Sequence, residues 1–342
     1  MLAENCRLKE LPAAGAADTP CLVSVLIPTW NGKDLLRSCL DSLAQQTFQD
    51  FEVIVAENGS TDGTSDMLAQ EFAWVRVVAL ERNLGFARGV HAAYDAARGD
   101  LIVLLNNDTE AAPTWLAELV AAADAHPSAA SFACKILLHQ DRARLHSAGD
   151  YYGLDGVPGN RGVWEPDGPA FSERGWVFGA QGAACAYRRS LLEDIGFFDL
   201  DLVSYCEDVD LSWRANLRGY RCLYVPEARV FHHVSATGGG ALASYYCGRN
   251  FIAVAVKDIP GPFWRRYWRR IVWQQLTITL EALRSLHGEA ARARLRGQIA
   301  GLALIPAMLR KRRAVQGHVT AELAQVERLM GPWVLPLDKE RH

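Results

Sequence analysis

Three acidic side chains, Glu207, Asp208 and Asp210, fall within four consecutive positions. Helical spacing places Glu207 and Asp210 on neighbouring faces and Asp208 on another. A carboxylate with a pKa near ~4 is ionised at neutral pH and can accept a proton from a hydroxyl group. Apolar Val203 and Leu211 flank these acids, which favours a crevice. The alternative is a negatively charged helix N-terminus, which the helix dipole stabilises.

A second polar group, Asn106-Asn107-Asp108, follows the uniformly apolar run Leu101–Leu105. A buried strand would deliver these side chains to its carboxyl end. A carboxylate there can hold a hard divalent cation through oxygen, with diphosphate oxygens and water as further ligands. The alternative is that Asp108 caps a helix that Pro113 helps to start.

The histidine pair His232-His233 follows a predicted strand at residues 221–225 and precedes the glycines at 238–240. Imidazole is a common ligand for ions such as Mn²⁺, and it binds phosphate when it is protonated. The position of the pair after a strand makes a metal or diphosphate ligand as plausible as a structural or solvated role.

Two further loops carry polar side chains at 58–63 and 82–86. Asn58 and Asp62 could hydrogen-bond a base or a ribose, and turn and helix-cap chemistry explains them equally well. In the second loop Asn83 could cap a helix, while Gly85 would allow a close approach of the backbone.

The elements that must position these loops follow an α/β pattern. Apolar runs at 23–27, 51–56, 75–80 and 101–105 predict strands, and periodic segments between them predict helices. Crossovers of this length indicate a mainly parallel, Rossmann-like central sheet with helices on both faces. Ligands bind at the carboxyl ends of the strands in such sheets, so we expect the polar loops to surround one crevice.

The order of six short motifs resembles that of family 2 glycosyltransferases, in particular the bacterial rhamnosyltransferase-like branch. The resemblance covers roughly residues 22–250. The motifs are Pro28-Thr29-Trp30-Asn31, Glu57-Asn58-Gly59-Ser60-Thr61-Asp62-Gly63, Asn83-Leu84-Gly85-Phe86-Ala87, Leu105-Asn106-Asn107-Asp108-Thr109, Cys206-Glu207-Asp208-Val209-Asp210-Leu211 and Phe231-His232-His233.

The resemblance implies a GT-A fold, an inverting mechanism, a nucleoside-diphosphate sugar donor and Mg²⁺ or Mn²⁺. By position, Asp208 matches the general base, with Glu207 beside it as a second catalytic candidate, and Asp108 and His232 match metal or diphosphate ligands. The donor-binding candidates are Pro28, Thr29, Asn31, Glu57, Asn58, Asp62, Asn83, Gly85, Phe86, Asn106 and Asn107. The chain departs from the family pattern at Asn106, which replaces an acid, and at Glu57, where Asp is usual.

Length and composition limit the remaining possibilities. The chain has 342 residues and a formal net charge of −3 at pH 7, which argues against a nucleic-acid partner. No apolar run approaches the ~20 residues that span a bilayer, and the first twenty residues lack the apolar core of a secretory signal. We therefore expect a cytoplasmic protein. The eight cysteines lack the spacing of a zinc site, so reduced thiols are expected.

Charge is unevenly distributed along the chain. Residues 261–313 contain twelve Lys or Arg and two Asp or Glu, a net charge of +10. Within them Trp264, Trp268 and Ile271 are predicted to form one stripe flanked by arginines, a composition typical of an interfacial helix. This segment is predicted to contact the inner face of the cell membrane peripherally, or to pack on the catalytic domain with a solvated basic face.

The sequence thus predicts a loose N-terminus at 1–21, a catalytic domain at 22–250 and a basic amphipathic helical segment at 251–342. Within the domain, residues 22–128 would bind the nucleotide sugar and 129–250 the acceptor. The expected activity is transfer of a sugar to a hydroxyl of a cell-surface glycan or a polyprenyl-diphosphate-linked acceptor. The first candidate for the sugar is L-rhamnose, with dTDP-rhamnose as the donor. The alternatives are a nucleotidyltransferase of sugar-nucleotide synthesis and a non-catalytic scaffold that binds sugar nucleotides.

Overall fold

The computed structural model describes residues 9–10, 21–234 and 239–337. The strands, in chain order, are β1 (Lys9–Glu10), β2 (Val23–Thr29), β3 (Phe51–Glu57), β4 (Arg76–Ala79), β5 (Leu101–Leu105), β6 (Thr109–Ala111), β7 (Ala129–Leu138), β8 (Leu145–Ser147), β9 (Asp150–Tyr152), β10 (Pro158–Asn160), β11 (Gly175–Val177), β12 (Ala184–Arg188) and β13 (Arg221–His232). The helices are α1 (Lys33–Ala44), α2 (Thr64–Glu71), α3 (Phe86–Ala96), α4 (Trp115–Ala125), α5 (Arg189–Ile195), α6 (Glu207–Arg218), α7 (Gly240–Asp258), α8 (Gly261–Arg284), α9 (Glu289–Gly317) and α10 (Leu323–Leu329). Apart from residues 9–10 and 21, the predicted N-terminal segment 1–21 lies outside the described residues.

The first half of the main sheet is parallel, as predicted. Strands β4, β3, β2 and β5 lie side by side in that order, with Val25 of β2 opposite Val53 and Val103. Alternate side chains enter different layers: Val25 packs with α1 and α4, and Leu26 packs with α3. Because helices cover both faces, β2 and β5 are apolar almost throughout.

The second half of the sheet is mixed. Strand β12 lies antiparallel between β5 and β7, whereas β13 is parallel to β7 and antiparallel to β6 and β11. The predicted α/β class with a central sheet is confirmed, but the parallel order stops at β5. Because β12 enters the sheet between β5 and β7 in the opposite direction, the loop before it lies at the carboxyl end of β5.

The helices after the sheet pack on the catalytic half through a separate apolar cluster. Trp213 and Val209 of α6 meet Phe263, Tyr267 and Ile271 of α8 there. The predicted stripe is therefore partly wrong: Ile271 is buried with Phe263 and Tyr267, whereas Trp268 is exposed. The predicted domain boundary at 250 falls inside the continuous helix α7.

No helix within the described ranges is long and apolar enough to cross a bilayer. The cysteines in those ranges are free thiols, and most of them are buried.

Candidate active site

Asp108 and His232 meet at the edge where β6 pairs with the end of β13. Thr109 lies opposite His232 in the ladder, so the residue before β6 is brought beside the last residue of β13. The Oδ1 atom of Asp108 lies 3.1 Å from Nε2 of His232, and the His233 amide donates to the Asp108 carbonyl at 2.9 Å. Both side chains are buried. The helix-cap alternative for Asp108 is not observed, because α4 begins later, at Trp115.

A second histidine, His146 of β8, extends this pair and was not predicted from the sequence. Its Nδ1 atom lies 3.0 Å from Nδ1 of His232, and its Nε2 atom lies 3.5 Å from the amide nitrogen of Gln181. Burial and the neighbouring His232 lower the pKa of His146 to about 3, so it is neutral at pH 7. The only sequence signal was a lone histidine in an irregular region.

The side chains at this edge fit a hard divalent cation. The side-chain oxygen of Asn106 is buried and has no hydrogen-bond partner. It lies two residues before Asp108, whose carboxylate faces His232. Carboxylate and amide oxygens suit Mg²⁺ and Mn²⁺, and imidazole suits Mn²⁺. Asn107 is held away from such a role because its amide donates to the Thr29 hydroxyl at 2.8 Å.

Asp208 lies in the first turn of α6 and is held by backbone amides. Its Oδ2 atom accepts from Gly182 at 2.8 Å, and its Oδ1 atom accepts from Val209 at 2.8 Å. A Cβ atom on Gly182 would lie 3.3 Å from Oδ2, so glycine allows the close approach. Burial raises the pKa of Asp208, while these amides oppose the rise. The carboxylate is thus fixed in position and more basic than an ordinary Asp.

One loop connects the two predicted centres. Gln181 contacts His146, the next residue Gly182 donates to Asp208, and the Ala183 carbonyl accepts from the Asn106 amide at 2.9 Å. This loop precedes β12, which pairs with β5. The antiparallel insertion of β12 therefore brings Asp108, His232 and Asp208 to the borders of one region.

Two buried acids lie beside the partly exposed Asp208. The Oε2 atom of Glu207 is buried and has no partner, and burial and the Asp208 charge raise the pKa of Glu207 well above its usual range. Asp150 of β9 accepts from Asn160 at 2.9 Å, and burial followed by the Asp208 charge raises its pKa in the same direction. Sequence reasoning missed Asp150, which stands in a loop-rich stretch.

Asp210, in contrast, faces the protein interior. It forms ion pairs with Arg214 at 2.9 Å and with Lys257 of α7. These cations keep the pKa of Asp210 below its usual range despite its burial. Its role is to join α6 to α7.

The segment just before Asp208 is strained. Val203, Tyr205 and Cys206 have φ angles of 65°, 66° and 66°, which side chains rarely adopt and a β-branched valine least of all. The buried amide of Asn250 donates to the carbonyls of Ser204 and Tyr205 at 2.9 and 2.6 Å. Strain of this kind persists only where neighbours fix it, and here α7 supplies the neighbour.

The predicted donor-binding loops are joined to one another by their own side chains. Asn31 accepts from the Thr61 amide at 2.8 Å, Asp62 accepts from the Lys33 amide at 3.0 Å, and Glu57 accepts from the Ser60 amide at 2.6 Å. The turn and cap alternative thus describes several of these side chains in this state. Contacts to a nucleotide stay a prediction.

The neighbouring loop 83–86 is held in the same way. Asn58 bridges it with bonds to Leu84 and Gly85, and the Asn83 side chain accepts from Gly85 at 2.9 Å. Gly85 has φ +89° and lies against Val203, and Phe86 stacks on Phe198 with ring centroids 6.2 Å apart. Through Val203 this loop touches the strained segment before Asp208. The other predicted donor-binding residues on this side, Pro28 and Thr29, are the last two residues of β2.

A second potential metal cluster lies on the other face of the β6–β13 edge. Phe231 and Glu110 are opposite each other in the ladder, so Glu110 points away from His232. Its Oε1 atom lies 3.0 Å from Nε2 of His139 and 3.8 Å from Nε2 of His233. Sequence reasoning missed Glu110 and His139, because their approach depends on the β7–β13 pairing.

Comparison with known proteins shows the family to which the chain belongs. The family model described as Glycosyl transferase family 2 matches residues 24–196. The chain belongs to glycosyl transferase family 2. It is a glycosyltransferase with the GT-A fold, as the six motifs implied.

Two relatives show the range within the family. The chain is 30% identical over 270 residues to the N-acetylglucosaminyl-diphospho-decaprenol L-rhamnosyltransferase of Mycobacterium tuberculosis, covering 71% of this chain and 87% of that one. It is 32% identical over 225 residues to the O-antigen biosynthesis protein RfbC of Myxococcus xanthus, covering 63% of this chain. The match spans only 17% of RfbC, which is a much longer protein.

Solved glycosyltransferases share the fold. The mannosyltransferase PcManGT from Pyrobaculum calidifontis, in complex with GDP-Man and Mn²⁺, aligns with a TM-score of 0.53 and 19% identity, covering 88% of this chain and 84% of that one. GalNAc-T7 with UDP, GalNAc and Mn²⁺ aligns with a TM-score of 0.57 and 18% identity, covering 70% of this chain and 48% of that one.

Proposed function

We propose that this family 2 glycosyltransferase transfers a sugar, with L-rhamnose from dTDP-rhamnose as the first candidate, to a hydroxyl of a lipid-linked or cell-surface glycan. Asp208 is the general base, and Asp108 with His232 would hold a divalent cation that serves the donor diphosphate. The observation that carries the proposal is the continuous contact from Asp108 through His232, His146 and the 181–182 loop to Asp208.

The base needs the properties that Asp208 has. The acceptor hydroxyl is a weak nucleophile until its proton is removed, and a basic carboxylate at a fixed position removes it as the new C1–O bond forms. The amides of Gly182 and Val209 hold both carboxylate oxygens in place. Attack on the face opposite the leaving diphosphate inverts the anomeric centre and requires no covalent intermediate.

The leaving group needs charge compensation at the other end of the site. Asp108 and His232, with the unpartnered Asn106 oxygen beside them, would hold Mg²⁺ or Mn²⁺. A cation bound there would supply Lewis-acid stabilisation of the negative charge that develops on the leaving diphosphate. His146 is neutral and contacts His232 Nδ1, so it fixes the orientation in which Nε2 faces Asp108.

The rhamnose and lipid assignments come from relatives. The Mycobacterium tuberculosis relative is an N-acetylglucosaminyl-diphospho-decaprenol L-rhamnosyltransferase and matches over most of its own length. A polyprenyl-diphosphate acceptor lies in a membrane, so we place the enzyme at the inner face of the cell membrane during turnover. Membership of a glycosyltransferase family gives no support to the nucleotidyltransferase or scaffold alternatives.

The test is transfer from a panel of nucleoside-diphosphate sugars to a polyprenyl-diphosphate N-acetylglucosamine acceptor, with Mn²⁺ or Mg²⁺ present. We expect release of a nucleoside diphosphate, fastest with dTDP-rhamnose, and a product of inverted anomeric configuration. Turnover with another donor would reject the rhamnose assignment alone. Pyrophosphate release, or no turnover with any donor, would reject the proposal.

A further inference from the structure

The surface that remains unexplained is the outer face of α8. The inner face is fixed in the protein, because Phe263, Tyr267 and Ile271 are buried in the cluster shared with α6. Tyr267 also donates a hydrogen bond to Glu327 of α10. The orientation of α8 on the catalytic domain is thereby set, and so is the direction of its other face.

That other face is apolar and exposed. The side chains that form it are Trp268, Val272, Trp273, Leu276, Leu280 and Leu283. At 100° per residue they cover a continuous arc of roughly 140°, centred opposite the buried stripe. A helix that is apolar on both sides is normally buried on both sides. Trp273, 69% exposed, is nevertheless uncovered in the described part of the chain.

Helix α9 also exposes large apolar side chains. Ile299 is 69% exposed, and Leu302 and Leu309 are also exposed. More than half of the large apolar side chains that are exposed in the described residues lie between Trp268 and Leu309. Concentration of this kind marks an interaction surface, whereas single exposed apolar residues do not.

The charge around this face identifies the partner. Arg265, Arg266, Arg269 and Arg270 are exposed at the start of α8. Arg269 lies over the Trp268 ring, 5.6 Å from its centroid. Residues 261–313 carry a net charge of +10, and although Arg266 pairs with Glu327 and Lys311 pairs with Asp199 and Asp201, the exposed part stays cationic, so two copies of this surface would repel each other. Anionic lipid headgroups attract such a segment by about 1 kcal/mol per Lys or Arg, and tryptophan favours the headgroup level.

We propose that the exposed face of α8, with the exposed apolar side chains of α9, docks on an anionic membrane surface. The helices would lie in the headgroup region, since neither is long and apolar enough to span the bilayer. Docking would hold the catalytic domain where a lipid-linked acceptor emerges; its purpose therefore rests on the proposed function, whereas the binding itself does not.

The test is flotation of the full chain with vesicles of phosphatidylcholine alone or with phosphatidylglycerol added. We expect binding to the anionic vesicles that weakens as salt is raised.

The triple variant Trp273→Ser, Leu276→Ser, Leu280→Ser should bind roughly tenfold more weakly or worse, because the inserted apolar area is lost. Arg269→Glu with Arg270→Glu should also weaken binding and reduce its salt dependence. The matched control Trp74→Ser removes a similarly exposed tryptophan outside α8 and should bind like the parent.

Absence of binding by the parent chain, or equal binding by the triple variant, would overturn the inference. So would a dimer in sedimentation that the triple variant abolishes, because the partner would then be a second copy. Transfer to a water-soluble acceptor separates the two proposals. Transfer without vesicle binding rejects docking alone, and vesicle binding without transfer by any donor rejects the proposed function alone.

Discussion

At the residue scale, Asp208 and Asp210 share the first turn of α6 but have different surroundings. Asp208 accepts backbone amides and is partly exposed, whereas Asp210 is fully buried between Arg214 and Lys257. A base must reach the acceptor, so we propose the accessible carboxylate, that of Asp208, as the catalytic one. Replacing each of these two aspartates by asparagine therefore gives a matched comparison, since the same chemical change is made two residues apart.

We predict that Asp208→Asn lowers kcat by about 10²–10⁴-fold with donor affinity preserved, because the amide cannot accept the proton. Tm should fall modestly, because the new NH2 group faces one of the two backbone amides that now donate to the carboxylate. Asp210→Asn should instead cost about 3 kcal/mol of unfolding free energy, because Arg214 and the buried Lys257 both lose a carboxylate and Lys257 keeps only Asp199. Steady-state kinetics and urea unfolding of both variants check this. Equal kinetic losses in the two would contradict it.

The pH dependence of transfer follows from the raised pKa of Asp208. Burial is the largest influence on this group and favours its protonated form. The base is active only when ionised, so kcat should fall as pH drops through this raised pKa. We predict an acid limb above the value of ~4 for an unperturbed Asp. A kcat profile that stays flat down to pH 4 would contradict this placement of the base.

At the element scale, α7 connects the C-terminal helices to the strained segment before α6. The Asn250 amide donates to the carbonyls of residues 202, 204 and 205, and Lys257 pairs with Asp210 and Asp199. Helix α7 therefore holds the strained segment that leads into Asp208.

We predict that Asn250→Ala lowers kcat even at temperatures well below the Tm of the variant, because residues 203–206 relax and Asp208 moves. Asn216→Ala is the control: its buried amide donates to the Phe178 and Ser212 carbonyls, away from that segment. Both variants should lower Tm, since each leaves buried carbonyls unpaired. An unchanged kcat in Asn250→Ala would show that the segment keeps its conformation without this residue.

Close contact between α7 and α9 depends on glycine. A Cβ atom at Gly297 would lie 2.0 Å from the Tyr245 carbonyl oxygen, so the helices must separate to admit it. We predict that Gly297→Ala costs about 1–3 kcal/mol in urea unfolding. Gly317→Ala, with no atom within 4 Å of its Cβ position, should change stability by no more than about 0.5 kcal/mol. Similar values for both would mean that α9 is not packed as described.

The sequence predicted local elements well where apolar runs were long, and less well where pairing decided the structure. The strand predicted at 221–225 continues to His232, because a bulge after Val225 absorbs Pro226 and pairing with β7 resumes at Arg229. His146 and Asp150 lie on three-residue strands that have no periodicity to detect. The stripe on α8 was misassigned because both sides of the helix are apolar.

At the scale of the whole molecule, the candidate site depends on the antiparallel insertion of β12 between β5 and β7. It places the 181–183 loop between the proposed cation-binding edge and the proposed base, so that Asp108 and Asp208, 100 positions apart in the chain, border one region. The family motifs predicted which residues belong together. The contacts that link His232 to Asp208 run through His146 and Gly182, and neither of these residues belongs to a motif.

The most direct test of this arrangement is a crystal structure with a nucleoside diphosphate and Mn²⁺, in which the metal is located by its anomalous signal. We predict one strong Mn²⁺ peak bound by Asp108 and His232 and by the diphosphate, on the side of the β6–β13 edge that faces the loop holding Asp208. A peak at the alternative cluster of Glu110, His139 and His233, with the diphosphate elsewhere, would contradict the account.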